Sequence, residues 1–332
     1  MNRNRLILLV CLSSALILAG CNRPAVTGQE SDERIPVIID TDANNELDDQ
    51  HALAYLLLND SVFHTVGVTV NATWNGGDVG EHLKEAERIV QLCGLKGSIP
   101  VLKGANDGFP EIRGHIDDPQ FDGHMAVDFI IREALEERDC TLVIIPVGKL
   151  TDLALALLKE PSVSEHIRVV WLGSNYPDPG EYNQMNDTAA MNYILKTGVP
   201  FEMVTVRYGK PSGTAAVSVT REEIFERMPG LGPESPEPVT GRHGGTFTRF
   251  GDYSVSLFSH VEFSGENTSR ALFDMAAVAI VKDPSWARAT RIPCPVYLDN
   301  AWVEQPGNSR KITVWEDFNR DLIMADFFAT FQ

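Results

Sequence analysis

The chain has 332 residues, 43% of them hydrophobic, and a formal net charge of -18. That much apolar material supports one large α/β domain or two smaller ones. The acid excess excludes phosphate-backbone binding, which needs clustered Lys and Arg, and suits neutral small molecules or cations. Cys93, Cys140 and Cys294 are too widely spaced for a disulfide framework or a zinc site, and read as small core residues.

In chain order, Arg3 and Arg5 precede an apolar run over residues 6–19 that is too short to span a membrane. It ends Leu18-Ala19-Gly20-Cys21, which resembles a bacterial lipobox. Residues 1–20 are expected to be a signal peptide, Cys21 to carry lipid, and residues 21–34 to be a flexible tether. The protein is then expected in the cell envelope of a bacterium, held to a membrane by its lipid alone. Asn22 does not match the usual Asp inner-membrane retention signal, which favours the outer membrane or the periplasmic face.

Residues 35–332 are expected to form one domain. Ile35-Pro36-Val37-Ile38-Ile39 has the continuous apolar character of a strand buried on both faces. Helices are expected at 48–58, 79–93, 126–137, 150–158, 189–197 and 271–281. Strands are expected at 66–70, 101–102, 142–147, 169–171 and 201–206. This alternation implies a mainly parallel sheet with helices on both faces, a Rossmann-like open sheet, with ligands at the carboxyl ends of the strands. A Pro- and Gly-rich stretch at 228–252 breaks the rhythm and reads as a long loop.

The sharpest signal is Asp40-Thr41-Asp42-Ala43-Asn44-Asn45-Glu46-Leu47-Asp48-Asp49, where a strand passes into a helix. Helix capping accounts for one or two of these acids, not for Asp40 and Asp42. A hard cation held by oxygen ligands explains the crowding better. A D-x-D after a strand also opens the HAD-type phosphatases, but Asn44 stands where those have Thr or Val.

The whole constellation resembles the inosine-uridine preferring nucleoside hydrolase family. Four segments carry the resemblance: the Asp motif, Pro146-Val147-Gly148-Lys149-Leu150-Thr151-Asp152-Leu153-Ala154, the set Asn175, Glu181-Tyr182-Asn183 and Asp187, and Phe273-Asp274-Met275-Ala276-Ala277-Val278-Ala279. The resemblance implies calcium-dependent hydrolysis of a ribonucleoside, or a related N-ribosyl compound, to ribose and base. It implies Ca2+ held by Asp42, Asp49, the Val147 carbonyl and Asp274, with Asp42 as general base. It implies sugar contacts from Asp48, Asn175, Glu181 and Asn183, and a ribose-contacting Asn for which Asn75 fits best and Asn71 competes. Asp40 would support the site through hydrogen bonds. Family members are commonly dimers or tetramers, so a homodimer or homotetramer is expected.

Three features depart from the family. Two extra residues lie between Asp42 and Asp48, which makes Asn44 and Glu46 candidate ligands or supports. The stretch from Trp171 to Asn175 is compressed. Phe273 replaces a His that protonates the leaving base in many members; His243, His82, His124 and Trp74 are candidates for that task. His243 leads them, because its Gly neighbours suit a loop that folds over a site as a lid. The rival readings are a calcium-dependent nucleoside- or sugar-binding lipoprotein without catalysis, and a glycosidase for a different sugar.

Overall fold

The computed structural model describes residues 32–263 and 268–332. The signal peptide, Cys21 and most of the tether lie outside the described residues. Eight strands form the central sheet: β1 Ile35–Thr41, β2 Phe63–Val70, β3 Val101–Lys103, β4 Leu142–Pro146, β5 Ile167–Leu172, β6 Phe201–Val204, β7 Arg288–Pro293 and β8 Lys311–Glu316. Their spatial order is β7-β8-β6-β5-β4-β1-β2-β3, and every pairing is parallel except β7 with β8.

Strand periodicity explains the layering. Val37 and Ile39 of β1 enter one apolar cluster while Ile38 enters the other. Val143 and Ile145 of β4, and Val170 and Leu172 of β5, face the first cluster. Ile144, Val169 and Trp171 face the second. Alternate side chains of a strand point to opposite faces, so a run that is apolar throughout must be covered on both sides.

The cover on one side includes α1 Asp48–Leu58, α2 Val79–Leu92 and, from later in the chain, helices at Phe250–His260, Phe273–Lys282 and Arg320–Thr330. On the other side lie α3 His124–Leu135, α4 Thr151–Lys159, the short α5 Tyr182–Asn186 near the strand ends, and α6 Thr188–Ile194. The later helices are α7 Arg221–Arg227, α8 Phe250–His260, α9 Phe273–Lys282 and α10 Arg320–Thr330. No described helix is long and apolar enough to cross a membrane.

The expected mainly parallel sheet with flanking helices is present. The stretch at 228–252 is less irregular than expected: Val239–Thr240 and Thr246–Phe247 pair as a small antiparallel ladder, and α8 starts at Phe250. Phe250, Tyr253, Leu257 and Phe258 are buried, at spacings that make one helical stripe. Cys93 and Cys294 are buried as expected. Cys140 is only half-buried, because it lies in the loop entering β4 rather than in the core.

Candidate active site

Four strands deliver the site. Asp40 and Asp42 lie at the carboxyl end of β1, where the Val147 N–H donates to the Asp40 carbonyl (2.8 Å) and the Asn71 N–H to the Thr41 carbonyl (3.0 Å). The ends of β1, β2 and β4 are thereby tied together, and Asn183 ties in β5. Its amide donates to the carbonyls of Val147 (2.7 Å) and Leu172 (3.2 Å). Gly148 allows this convergence: a Cβ there would lie 3.0 Å from Asp42 Oδ1 and from Asn71 Oδ1.

Asp48 and Asp49 occupy the first turn of α1, and Asp274 the first turn of α9. The two helices pack together, so their positive N-terminal ends point at one spot. The backbone N–H groups of Phe273 and Asp274 favour the charged form of the Asp48 carboxylate. Asp48, Asp49 and Asp274 each offer an oxygen within 4.8 Å of one another, and all three are buried. Asp42 is buried beside them, and its charge acts on each.

Burial dominates the electrostatics. It pushes the Asp48 carboxyl up to about 7, the helix N–H groups notwithstanding. Asp49 and Asp274 are pushed well above the usual carboxylate range by burial and then by the neighbouring carboxylates. Asp42 is raised by burial, against the pull of the Thr73 hydroxyl, of His82 and of Asn45. The Thr41 hydroxyl donates to Asp49 (2.5 Å). Asp40 is fully buried and accepts from Thr69 (2.8 Å) and Asn71 (3.0 Å). Its carboxyl rises to about 6 through burial.

The two extra residues of the Asp motif form a turn rather than a set of ligands. The Asn45 N–H donates to the Asp42 carbonyl (2.8 Å), while the Asn44 side chain donates to Gly76 O (2.7 Å) and its N–H to His82 Nδ1 (3.1 Å). Glu46 is exposed and pairs with Arg270. The Asn44 side chain is held by the Gly76 carbonyl and Glu46 by Arg270, so neither side chain bonds to the carboxylates.

Glu181 caps α5. Its carboxylate accepts from the N–H groups of Ser174 (2.9 Å), Asn183 (3.1 Å) and Gln184 (2.8 Å), and burial raises it nonetheless. Asn175 is buried one layer back, accepting the Tyr208 N–H (3.0 Å) and donating to the Pro179 carbonyl (3.4 Å). Asn75 is at the exposed rim, where only its N–H is held, by the Tyr182 hydroxyl (2.9 Å). Asn71 is buried against Asp40 and Asp42 and is the Asn that reaches the centre.

His243 does not reach the carboxylates. It is exposed and stacks on His260, with ring centroids 4.6 Å apart. The loop's contact with the site runs through the preceding residue: Arg242 donates to the Glu46 carbonyl (2.9 Å), and its charge is felt by Asp49. His82 is buried under the bulge, and the His124 ring contacts the Phe121 carbonyl (2.9 Å) at the start of α3.

Thr73 and Asn45 escaped the reading of the sequence. Both act on the Asp42 carboxylate, Thr73 through its hydroxyl. Spacing gives a partial signal for Thr73, two residues beyond the buried Asn71 at the end of β2. Nothing local marks Asn45.

A family model described as inosine-uridine preferring nucleoside hydrolase matches residues 37–324. The pyrimidine-specific ribonucleoside hydrolase RihA of Shewanella woodyi is 27% identical over 190 residues, which cover 51% of this chain and 59% of that protein. An uncharacterized protein of Schizosaccharomyces pombe is 27% identical over 218 residues, 58% of this chain and 68% of that one. Among solved structures, a plant nucleoside hydrolase superposes with a TM-score of 0.68 at 16% identity, covering 90% of this chain and 98% of that one. A purine-preferring ribonucleoside hydrolase from Gardnerella vaginalis gives 0.65 at 20% identity, covering 89% and 98%. At those identities the superpositions speak to the fold.

Proposed function

The chain belongs to the inosine-uridine preferring nucleoside hydrolase family, and from that premise we propose that it hydrolyses ribonucleosides to ribose and free base with a bound calcium ion. The observation that carries this reading is the convergence of Asp42, Asp48, Asp49 and Asp274 at the carboxyl end of the sheet.

The donor set suits a hard divalent cation. It offers buried carboxylate oxygens with neither sulfur nor imidazole among them, and carboxylates that repel one another when ionised. Asp42, Asp49, the Val147 carbonyl and Asp274 are the proposed ligands, and Asp48 is placed to join them. Bound there, the cation offsets the carboxylate charge, grips sugar hydroxyls and lowers the pKa of a water.

Asp42 is the proposed general base, oriented by Thr73 and Asn45. Water attacks the anomeric carbon as the C–N bond breaks, through a transition state with positive charge on the sugar. Asp48 and Glu181 stabilise that charge from their buried positions. Asn71 contacts the sugar in place of Asn75, and the Asn183 Oδ1 is free for a hydroxyl because its amide N–H groups already hold two carbonyls. Leu18-Ala19-Gly20-Cys21 supports lipid attachment; detergent-phase partitioning that survives Cys21→Ser would remove that part of the reading.

The test is release of reducing sugar from a panel of purine and pyrimidine ribonucleosides, with calcium and with excess chelator. Calcium-dependent release that disappears in Asp42→Asn is the expected result. Phe273 favours the rival reading of a non-catalytic binder; calcium and nucleoside binding without turnover of any nucleoside would establish it instead.

A further inference from the structure

Phe273 has no hydrogen bond to give a leaving base, and His243 lies elsewhere. Tyr208, in the loop after β6, is placed to supply that contact. Its ring packs against Phe273, the neighbour of Asp274, and the charges of Glu181, Asp48 and Asp274 all act on its phenol. Those three acids come from three separate elements, so the phenol is within electrostatic reach of the whole carboxylate group. A phenol has an O–H to donate. Burial and the neighbouring acids hold that proton on, raising the phenol above its usual range.

The ring is held and partly open. It meets Phe273 edge-on, with centroids 6.0 Å apart and planes at 80°, yet Tyr208 stays 45% exposed. Its N–H donates to Asn175 Oδ1 (3.0 Å), and the Val206 N–H donates to the Ser174 carbonyl (2.9 Å), which fixes the loop against the strand β5 exit. A second aromatic pair stands at the mouth: Trp74, 62% exposed, meets Tyr182 edge-on at 5.8 Å.

We propose that Tyr208 contacts the leaving base, offering its open ring face for stacking and donating its O–H to a ring nitrogen or carbonyl oxygen of the base as the C–N bond breaks. The proposal rests on the N-ribosyl hydrolase reading above. In the step, the bonding pair leaves with the base, the water oxygen bonds to the anomeric carbon, and the water proton passes to Asp42. Tyr208 keeps its own proton, and the base takes one from solvent.

The experiment compares wild type and Tyr208→Phe, both calcium-loaded, on inosine, uridine and 4-nitrophenyl riboside, whose leaving group departs without such help. Tyr208→Phe is expected to lose about 10- to 100-fold in kcat on the nucleosides, the worth of one hydrogen bond to a group gaining negative charge. On 4-nitrophenyl riboside it should stay within about twofold of wild type. Equal losses on all three substrates, or no loss on the nucleosides, would overturn the assignment while leaving the hydrolase reading standing. If wild type cleaves none of the three, the hydrolase reading fails and the assignment goes with it.

Discussion

The buried carboxylates predict a pH-dependent gap in stability between the calcium-loaded and the chelated protein. Asp48 is held at about 7 against an ordinary 3.8, and Asp40 at about 6, both through burial. A group whose pKa is raised on folding contributes stability that is full below the unfolded value and lost as pH rises through the folded one. Chelated protein therefore weakens from about pH 4 to pH 7. For Asp48 alone the shift from 3.8 to about 7 corresponds to about 4 kcal/mol. A cation that holds the carboxylates ionised removes that loss, and about 4 kcal/mol corresponds to free calcium near a thousand times Kd. For a chain of this size the gap is on the order of 6 °C in Tm. His51 works in the opposite sense, since burial lowers it to about 4 from 6.5. Its contribution is present above pH 6.5 and is lost as pH falls toward 4. His51 bonds to the Leu47 carbonyl and the Ser254 hydroxyl, not to the carboxylates, and a contribution common to both states cancels in the difference, so the assay is calorimetric Tm with calcium minus Tm with chelator. The gap should be small at pH 5 and full at pH 8. Equal Tm values at pH 8, or a gap that does not grow with pH, would refute the reasoning.

Three substitutions probe the site further. Thr73→Val removes the hydroxyl that orients Asp42, and steady-state kinetics should show kcat down about tenfold with Tm nearly unchanged; an unchanged kcat contradicts the role. His243→Ala, an exposed change, should leave kcat within about twofold, and a larger loss would return the lid role to His243. Asn183→Ala strands the Val147 and Leu172 carbonyls and should cost about 1–3 kcal/mol, read by urea unfolding.

The sequence made the first two-thirds of the fold legible, because the strands there are apolar on both faces and the helices between them carry clear periodicity. The helix 48–58 and the strand after it are where they were expected. In the C-terminal part only the helix expected at 271–281 was legible, and it is Phe273–Lys282 in the structure. Strand Arg288–Pro293 is an exposed sheet edge with polar residues on both faces, so it carries no core signal. Helix Phe250–His260 has a clear apolar stripe, but it follows so closely on a Pro- and Gly-rich run that the run masked its start.

In the site, Asp42, Asp48, Asp49 and Asp274 were legible, and the structure gathers them at one point. The first three form an acid cluster where a strand meets a helix, which sequence shows directly, while Asp274 was named through the family resemblance. Asn75 and His243 were chosen on residue type, and type says nothing about direction. The backbone turns Asn71 inward and leaves Asn75 at the rim, and it puts Arg242 rather than His243 against Glu46.

Asp42, Asp48 and Asp49 lie near the start of the described chain and Asp274 follows β6 and α8, so the proposed cation site would close a loop made of most of the protein. Only a nearly complete polypeptide can assemble it, and an ion that binds all of them acts as a clasp across that loop. Closing so long a loop early is entropically unfavourable, and its cost grows only slowly with added length. The clasp therefore belongs to the last stage of folding. The two helices pack together without an ion, so a bound one would act on their first turns, and amide exchange at residues 48–50 and 273–276 should slow in step as calcium is added.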